Sequence, residues 1–286
     1  MRPLSSLIVL SVSCALAAGC GLADIRPDPI AKLKTIDDAR ATKGRALIQQ
    51  MQQAHGGLDA WQAKGNAQVQ WEDQWPSFLT RVFGMPWDEH PASMRQTMML
   101  GQDHSRLEFL NGDDKGTAWG IQHWSTYTVG RKTLPEFDQD DDITFWLPTM
   151  QYFFEAPFRL HEGQYVAYGG SAKRGGQTYE LVYVTWGGVE PQERVDQYVA
   201  WIDQKTQRLA YLEFTVRDLF GFVTSAAMYE DYKAVDGLLV PGKITIVGDL
   251  DDPTDVVHRL VVQDAKLGVD LPKGFLIPDP KRRSKK

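Results

Sequence analysis

Apolar and polar positions along this chain recur with two different periods, and the switches between them mark its elements. Ile36, Ala39, Ala46, Leu47, Met51 and Ala54 fall on one face at helical spacing. Asp37 or Asp38 stands at the start, and Gly56 is placed to end the helix in the left-handed conformation, with His55 in the last turn complementing the dipole. Leu58-Asp-Ala-Trp61 then tucks the exit against the core. After Gly65 the period falls to two. Residues 67–75, 93–100, 105–110, 117–124 and 126–129 read as strands, with Asn111-Gly112 and Gly130 as turn residues between them. Pro76 to Pro91, carrying Phe78, Phe83, Met85 and Trp87, is too apolar for a simple surface loop and reads as a flap over an opening.

Residues 143–160 (Ile-Thr-Phe-Trp-Leu-Pro-Thr-Met-Gln-Tyr-Phe-Phe-Glu-Ala-Pro-Phe-Arg-Leu) obey neither pattern cleanly. Phe145, Trp146, Thr149, Tyr152, Phe153 and Phe154 keep helical spacing, yet the element is apolar nearly all round and so requires walls on most sides. The acidic run 138–142 caps its start; Pro148 sits one turn in, and Pro157 is expected to end it.

Beyond it the strand pattern resumes at 165–168, 178–186, 195–202, 208–216, 224–232, 243–247 and 256–262. Asp203-Gln-Lys-Thr-Gln and Val235-Asp-Gly-Leu are tight turns, and loops this short leave no room for helical crossovers, so the expected sheet is one antiparallel meander. In Tyr198-Val-Ala-Trp-Ile202 and Leu209-Ala-Tyr-Leu-Glu-Phe214 both faces are apolar, where a sheet with one wet face would alternate. Something covers both sides, and the helices over 36–54 and 143–158 are the candidates. The fold class is therefore mainly β (α+β). A strongly curved antiparallel sheet forms a half-open barrel whose concave face is plugged by the N-terminal and aromatic helices.

Composition narrows the setting. The chain has 286 residues, of which the stretch 36–278 suits one domain. Its formal charge is −6; setting aside Arg2 and the five cations of the tail 279–286 leaves −12, which argues against nucleic acid. Arg2, the apolar run 4–18 and Gly19-Cys20 read as a secretory signal over 1–19, too short to span a bilayer as a stable helix. Leu16-Ala-Ala-Gly-Cys20 resembles the lipobox of bacterial lipoproteins, which implies a lipidated Cys20 and a membrane anchor; the stretch from there to 35, proline-punctuated and low in aromatics, reads as a tether, so that 20–35 is the lipidated N-terminus and tether. The alternative is an ordinary cleaved signal with an incidental Cys20. Gly21 after the cysteine, by resemblance to Gram-negative sorting signals, points to the outer membrane with the domain facing the periplasm.

The order of these elements carries a wider resemblance. It runs from the helix ending in His55-Gly-Gly-Leu-Asp-Ala-Trp61, through Tyr152-Phe-Phe-Glu-Ala-Pro-Phe-Arg-Leu160 and Val199-Ala-Trp-Ile-Asp-Gln-Lys-Thr206, to Tyr229-Glu-Asp-Tyr-Lys-Ala-Val-Asp-Gly-Leu-Leu-Val-Pro241. Together these are similar to a group of bacterial envelope lipoproteins that in turn resemble the lipoprotein-localisation carriers of the Lol type. The resemblance implies a half-open barrel whose cavity takes acyl chains, from a lipid or an acylated protein. The expected cavity residues are Trp71, Phe145, Trp146, Met150, Tyr152, Phe153, Phe154, Phe158, Trp201, Leu212 and Phe214.

Catalytic signatures are missing from the sequence. It contains no Gly-x-Ser-x-Gly, His-Glu-x-x-His, Walker or Gly-x-Gly-x-x-Gly pattern, and His55, His90, His104, His123, His161 and His258 stand one per element without metal-ligand spacing. No enzyme, cofactor or metal is expected. The reading is a monomeric envelope lipoprotein that holds a hydrophobic ligand in place of its aromatic helix; the alternative is a non-catalytic scaffold acting through surface contacts.

Overall fold

The computed structural model describes residues 21–131 and 135–276. The signal, Cys20 and the basic tail lie outside the described residues. The elements run α1 (Asp28–Ala31), α2 (Asp38–Ala54), α3 (Leu58–Gln62), β1 (Asn66–Gln74), α4 (Phe78–Phe83), β2 (Ala92–Met99), β3 (His104–Phe109), β4 (Ala118–Gln122), β5 (Ser125–Val129), β6 (Glu136–Phe137), α5 (Asp141–Arg159), β7 (Tyr165–Arg174), β8 (Gln177–Thr185), β9 (Gln197–Asp203), β10 (Leu209–Thr215), β11 (Thr224–Glu230), β12 (Lys233–Val235), β13 (Leu238–Val240), β14 (Lys243–Val247) and β15 (Val256–Leu267).

Thirteen strands form one sheet in the order β6-β5-β4-β3-β2-β1-β15-β14-β11-β10-β9-β8-β7, every neighbouring pair antiparallel, while β12 and β13 make a separate hairpin. It is thus two meanders rather than one, joined where the last strand lies along the first with Ala67 opposite Leu267. The sheet does not close, and β6 and β7 are its free edges.

Those edges explain where the aromatic helix goes. α5 is the connection from β6 to β7, so the chain must carry it across the opening between the two edges. Its 19 residues span about 28 Å, yet it touches strands from β5 to β9, which would lie about 43 Å apart if the sheet were flat. The sheet is therefore curled around the helix. α2 lies on the same concave side: Ile48 and Met51 share one core with Phe154, Val166 and Val182, and the Gln52 amide donates to the Phe158 carbonyl at 3.1 Å.

Capping proceeds as the acidic run suggests. Asp37 accepts from the Arg40 N–H at the start of α2, and Asp140 from the Ile143 N–H at the start of α5. Pro157, however, does not end α5, which continues to Arg159. A proline interrupts a helix partly because the carbonyl four residues back loses its donor. Here that carbonyl belongs to Phe153, and the buried Tyr229 hydroxyl donates to it at 3.0 Å. Tyr229→Phe will therefore lower unfolding stability by about 1–2 kcal/mol in urea titration, since it leaves a buried carbonyl unpaired.

The sheet's convex side differs from expectation. The segment read as a tether is docked on β7, β8 and β9: Ile30 is fully buried against Ala167, Tyr183 and Val199, with Ile25, Leu33 and Ile36 packed around them. Its isoleucines and leucine supply the cover that the two-sided apolar pattern required, whereas α2 and α5 both face inward.

Candidate functional site

On β1, period-two alternation directs Val69, Trp71 and Asp73 into the hollow, and Trp75 follows just past the strand; none is more than 1% exposed. A carboxylate in that series is the anomaly. Asp73 resolves it by accepting three hydrogen bonds: from the indole N–H of Trp75 at 2.6 Å, the indole N–H of Trp87 at 2.8 Å, and Nδ1 of His258 at 2.9 Å. With a carboxylate as acceptor, Nδ1 of His258 carries its hydrogen. The imidazole stacks on Trp75 at 4.6 Å, and Trp146 of α5 meets both rings edge-on at 5.8 and 5.6 Å. Trp87 joins Trp146, Trp119 and Phe109 within 6.1 Å. The result is an aromatic box at the end of the hollow, roofed by the 76–91 flap.

The flap itself carries α4, whose Thr80 hydroxyl is bonded to the carbonyls of Ser77 and Val257. Phe78, Leu79 and Val82 project outward at 68%, 57% and 51% exposure. The apolar content of this segment is split between the box, which Trp87 enters, and the outer face of α4.

Along the hollow, α5 is packed ring against ring. Phe154 lies between Trp61 and Trp71, Phe158 stacks on Trp61 at 4.2 Å, and Phe153 meets Phe214 at 4.8 Å. Of the expected cavity residues, Trp71, Phe145, Trp146, Met150, Phe153, Phe154, Phe158, Leu212 and Phe214 share this one core. Tyr152 faces Tyr198 at 5.5 Å.

Trp201 does not belong to the hollow. In the β9–β10 register Leu212 stands opposite Ala200, so Trp201 and its partner Tyr211 point to the convex side, where the Trp201 indole donates to Glu213 at 2.6 Å.

Polar clamps hold the C-terminal half of α5. The Gln151 amide donates to the carbonyls of Met99 and Gln102 and to Glu155; Glu155, fully buried, also accepts from the Gly101 N–H at 2.7 Å and the Trp61 indole at 3.3 Å. Burial pushes the Glu155 carboxyl up to about 7, against the opposing pull of Arg159 and of these donors. Arg159 is itself paired with Asp103 at 2.9 Å and Glu162 at 3.2 Å. By contrast the Trp146 indole N–H and the Tyr152 hydroxyl are buried without a partner.

His55 is not a charged helix-end residue. It is fully buried, donates from Nδ1 to the Leu239 carbonyl at 3.0 Å and accepts at Nε2 from the Leu209 N–H, and burial drives its pKa down to about 4. The neutral imidazole ties the end of α2 to the β12–β13 hairpin and to β10.

Sequence reasoning put Trp87 on the flap but missed Asp73, Trp75, Trp119 and His258 as site residues. The signal was there for Asp73: a lone acid on the apolar face of an alternating strand is tolerated only when its lone pairs are filled. The same geometry argues for packing rather than chemistry, because Asp73 orients indoles and the ring of His258 is covered by Trp75 and Trp146. Among the described residues no cluster of three or more His, Cys, Asp or Glu side chains forms a metal cradle.

The hollow is filled. Ile143, Leu147, Phe154, Ala156 and Leu160 are fully buried, and a dent of about 10 Å³ beside Trp87, lined also by the exposed Asp88, Glu89, Asp113 and Asp114, has room for about one water. A larger hollow of about 240 Å³ lies outside it, between α2 and β7.

Comparison with known proteins finds the fold and not a close relative. No family model matches the chain, and no curated protein does. Among solved structures, a DUF1329 family protein from Desulfovibrio piger superposes with a TM-score of 0.52 at 12% identity, covering 83% of this chain and 97% of that one. A LolA superfamily protein from Nitrosomonas europaea gives a TM-score of 0.49 at 13% identity over 83% and 97% of the two chains. The half-open antiparallel sheet with helices on its concave face, expected from the sequence, is the fold this chain has, and at such identities the likeness extends to fold alone.

Proposed function

We propose that the protein is a monomeric envelope lipoprotein, anchored through an acylated Cys20 in the outer membrane and facing the periplasm, that takes an acyl chain of a lipid or acylated protein into the hollow now filled by α5. The observation that carries this reading is the asymmetry of α5. Its C-terminal half is clamped by Gln151, Glu155 and Arg159, whereas the Trp146 side chain in the N-terminal half is bound ring to ring, with its indole N–H unpartnered. Exchanging one apolar partner for another changes the free energy little at about 25 cal/mol per Å². The N-terminal half can therefore yield to a guest without breaking a strand, and the free indole N–H can donate to the guest's ester carbonyl. No catalytic step is part of this function.

Lipid extraction from protein purified out of its native membrane tests it. Mass spectrometry is expected to return an acyl lipid near one per chain, and Phe153→Glu is expected to abolish uptake of a lipid-like fluorophore or unfold the domain. No bound lipid in the native protein, together with unchanged uptake and stability in the variant, would remove this reading. The packed interior favours a second one, a non-catalytic scaffold working through surface contacts, and that result would select it.

A further inference from the structure

Strand pairing places the ends of β1, β10 and β14 and the starts of β2, β11 and β15 on one rim of the sheet, since Thr215 faces Thr224, Val247 faces Ala226 and Val256, and Gln74 faces Arg259. Four of the five large apolar side chains exposed among the described residues sit on this rim: Phe78, Leu79 and Val82 on α4, and Phe222 at 64% in the β10–β11 loop, stacked on Phe220 at 5.4 Å. The fifth, Trp124, is in the β4–β5 turn on the opposite rim.

The N-terminal segment reaches the same rim. The Ala23 N–H donates to the Gly221 carbonyl at 2.8 Å, the Arg217 guanidinium bonds the carbonyls of both Ala23 and Gly221, and Leu22 lies directly over Gly221. Cys20, outside the described residues, precedes Leu22 by two positions in the sequence.

We infer that this rim is the membrane-facing surface of the protein, with the Phe220–Phe222 tip and the outer face of α4 entering a zwitterionic phospholipid leaflet. The inference rests on the anchor reading of Cys20 and adds an orientation to it. Two apolar contacts separated by four strand intervals, about 19 Å along the sheet, fix tilt as a single anchor cannot. Between them lies the β14–β15 loop with Asp249, Asp251, Asp252 and Asp255, so the attraction is apolar and anionic headgroups oppose it. The flap over the aromatic box then faces the bilayer surface, where an acyl guest would be met.

Acylation of Cys20 and removal of Cys14 with the signal leave no other cysteine, so Leu79→Cys, Phe222→Cys and Trp124→Cys each accept one nitroxide label. In the full chain on phosphatidylcholine–phosphatidylethanolamine vesicles, labels at 79 and 222 are expected to be open to oxygen and shielded from a water-soluble nickel chelate, with the label at 124 showing the reverse. Labels at 79 and 222 as wet as the one at 124, or only one of them immersed, overturn the two-point rim. The Cys20→Ser chain separates the two ideas. It is expected to bind the same vesicles weakly, to lose on the order of tenfold in partitioning with Phe222→Ser, and to gain nothing from added phosphatidylglycerol. Partitioning that rises with phosphatidylglycerol and ignores Phe222→Ser overturns the rim. An unmodified Cys20 in the N-terminal mass, with the Phe222 effect intact, removes the anchor and leaves the rim standing.

Discussion

Asp73→Ala will lower the unfolding free energy by about 3–5 kcal/mol, the range for removing one member of a buried charged hydrogen-bonded set. Three donors lose their acceptor at once: the indoles of Trp75 and Trp87 and Nδ1 of His258. All three are buried, so their N–H groups are left unpaired away from water. Urea unfolding reads the total. Limited proteolysis reads the place, because Trp75 and Trp87 bracket α4 and the 76–91 flap is expected to become the first site cut. Asp73→Asn keeps an acceptor oxygen for the indoles and turns an N–H₂ toward His258, so its loss should be smaller than that of alanine. Equal losses in the two variants, or an alanine variant within 1 kcal/mol of the parent, would show that the carboxylate does not organise the box.

Sequence patterning discloses such nodes unevenly. The position of α5 was legible because a helix apolar all round has to be enclosed, and only a curled sheet offers walls on enough sides. Strands joined by short loops were legible for the same local reasons. The β1–β15 pairing was not: Ala67 and Leu267 are 200 residues apart, and no turn chemistry reports a contact of that separation. Trp201 was misplaced because β9 is apolar on both faces, so alternation fixes which residues share a side but not which side faces the hollow; the β10 register, with its irregularity between Leu209 and Tyr211, decides that. The docked segment before α2 was read as a linker on its prolines, although Ile25, Ile30 and Leu33 carried apolar content that covers β7 to β9. Asp73 was overlooked for want of partners, since Trp87 and His258 arrive from 14 and 185 residues away.

Glu155→Gln is expected to gain on the parent protein as pH rises, by about 3 kcal/mol between pH 4 and pH 8. In the folded protein the Glu155 carboxyl titrates near 7 instead of 4.5 because it is buried on α5 between Gln151, Gly101 and Trp61. Across that interval the folded state binds the extra proton, so stability is greatest below pH 4.5, falls as the pH rises, and the loss is complete above 7; a shift of that size corresponds to about 3 kcal/mol. His55 works the other way. Its folded pKa is about 4 against 6.5, so the unfolded state binds the extra proton between those values and stability rises with pH up to 6.5. Over pH 4.5–6.5 the two slopes oppose each other, and the pair leaves the parent nearly flat there. Each variant uncovers the other limb: Glu155→Gln is left with the acid loss set by His55, and His55→Gln with the loss set by Glu155 as the pH rises from 4.5 to 7. Urea titrations at five pH values between 4 and 8, taken as differences from the parent, remove the contributions the proteins share. Parallel curves for Glu155→Gln and the parent would mean that the carboxyl is ionised throughout, with the Gly101, Trp61 and Gln151 donors and Arg159 outweighing burial. A rising difference instead locates the titrating clamp on the C-terminal half of α5, and loosening at neutral pH is then built into the helix that a guest must move.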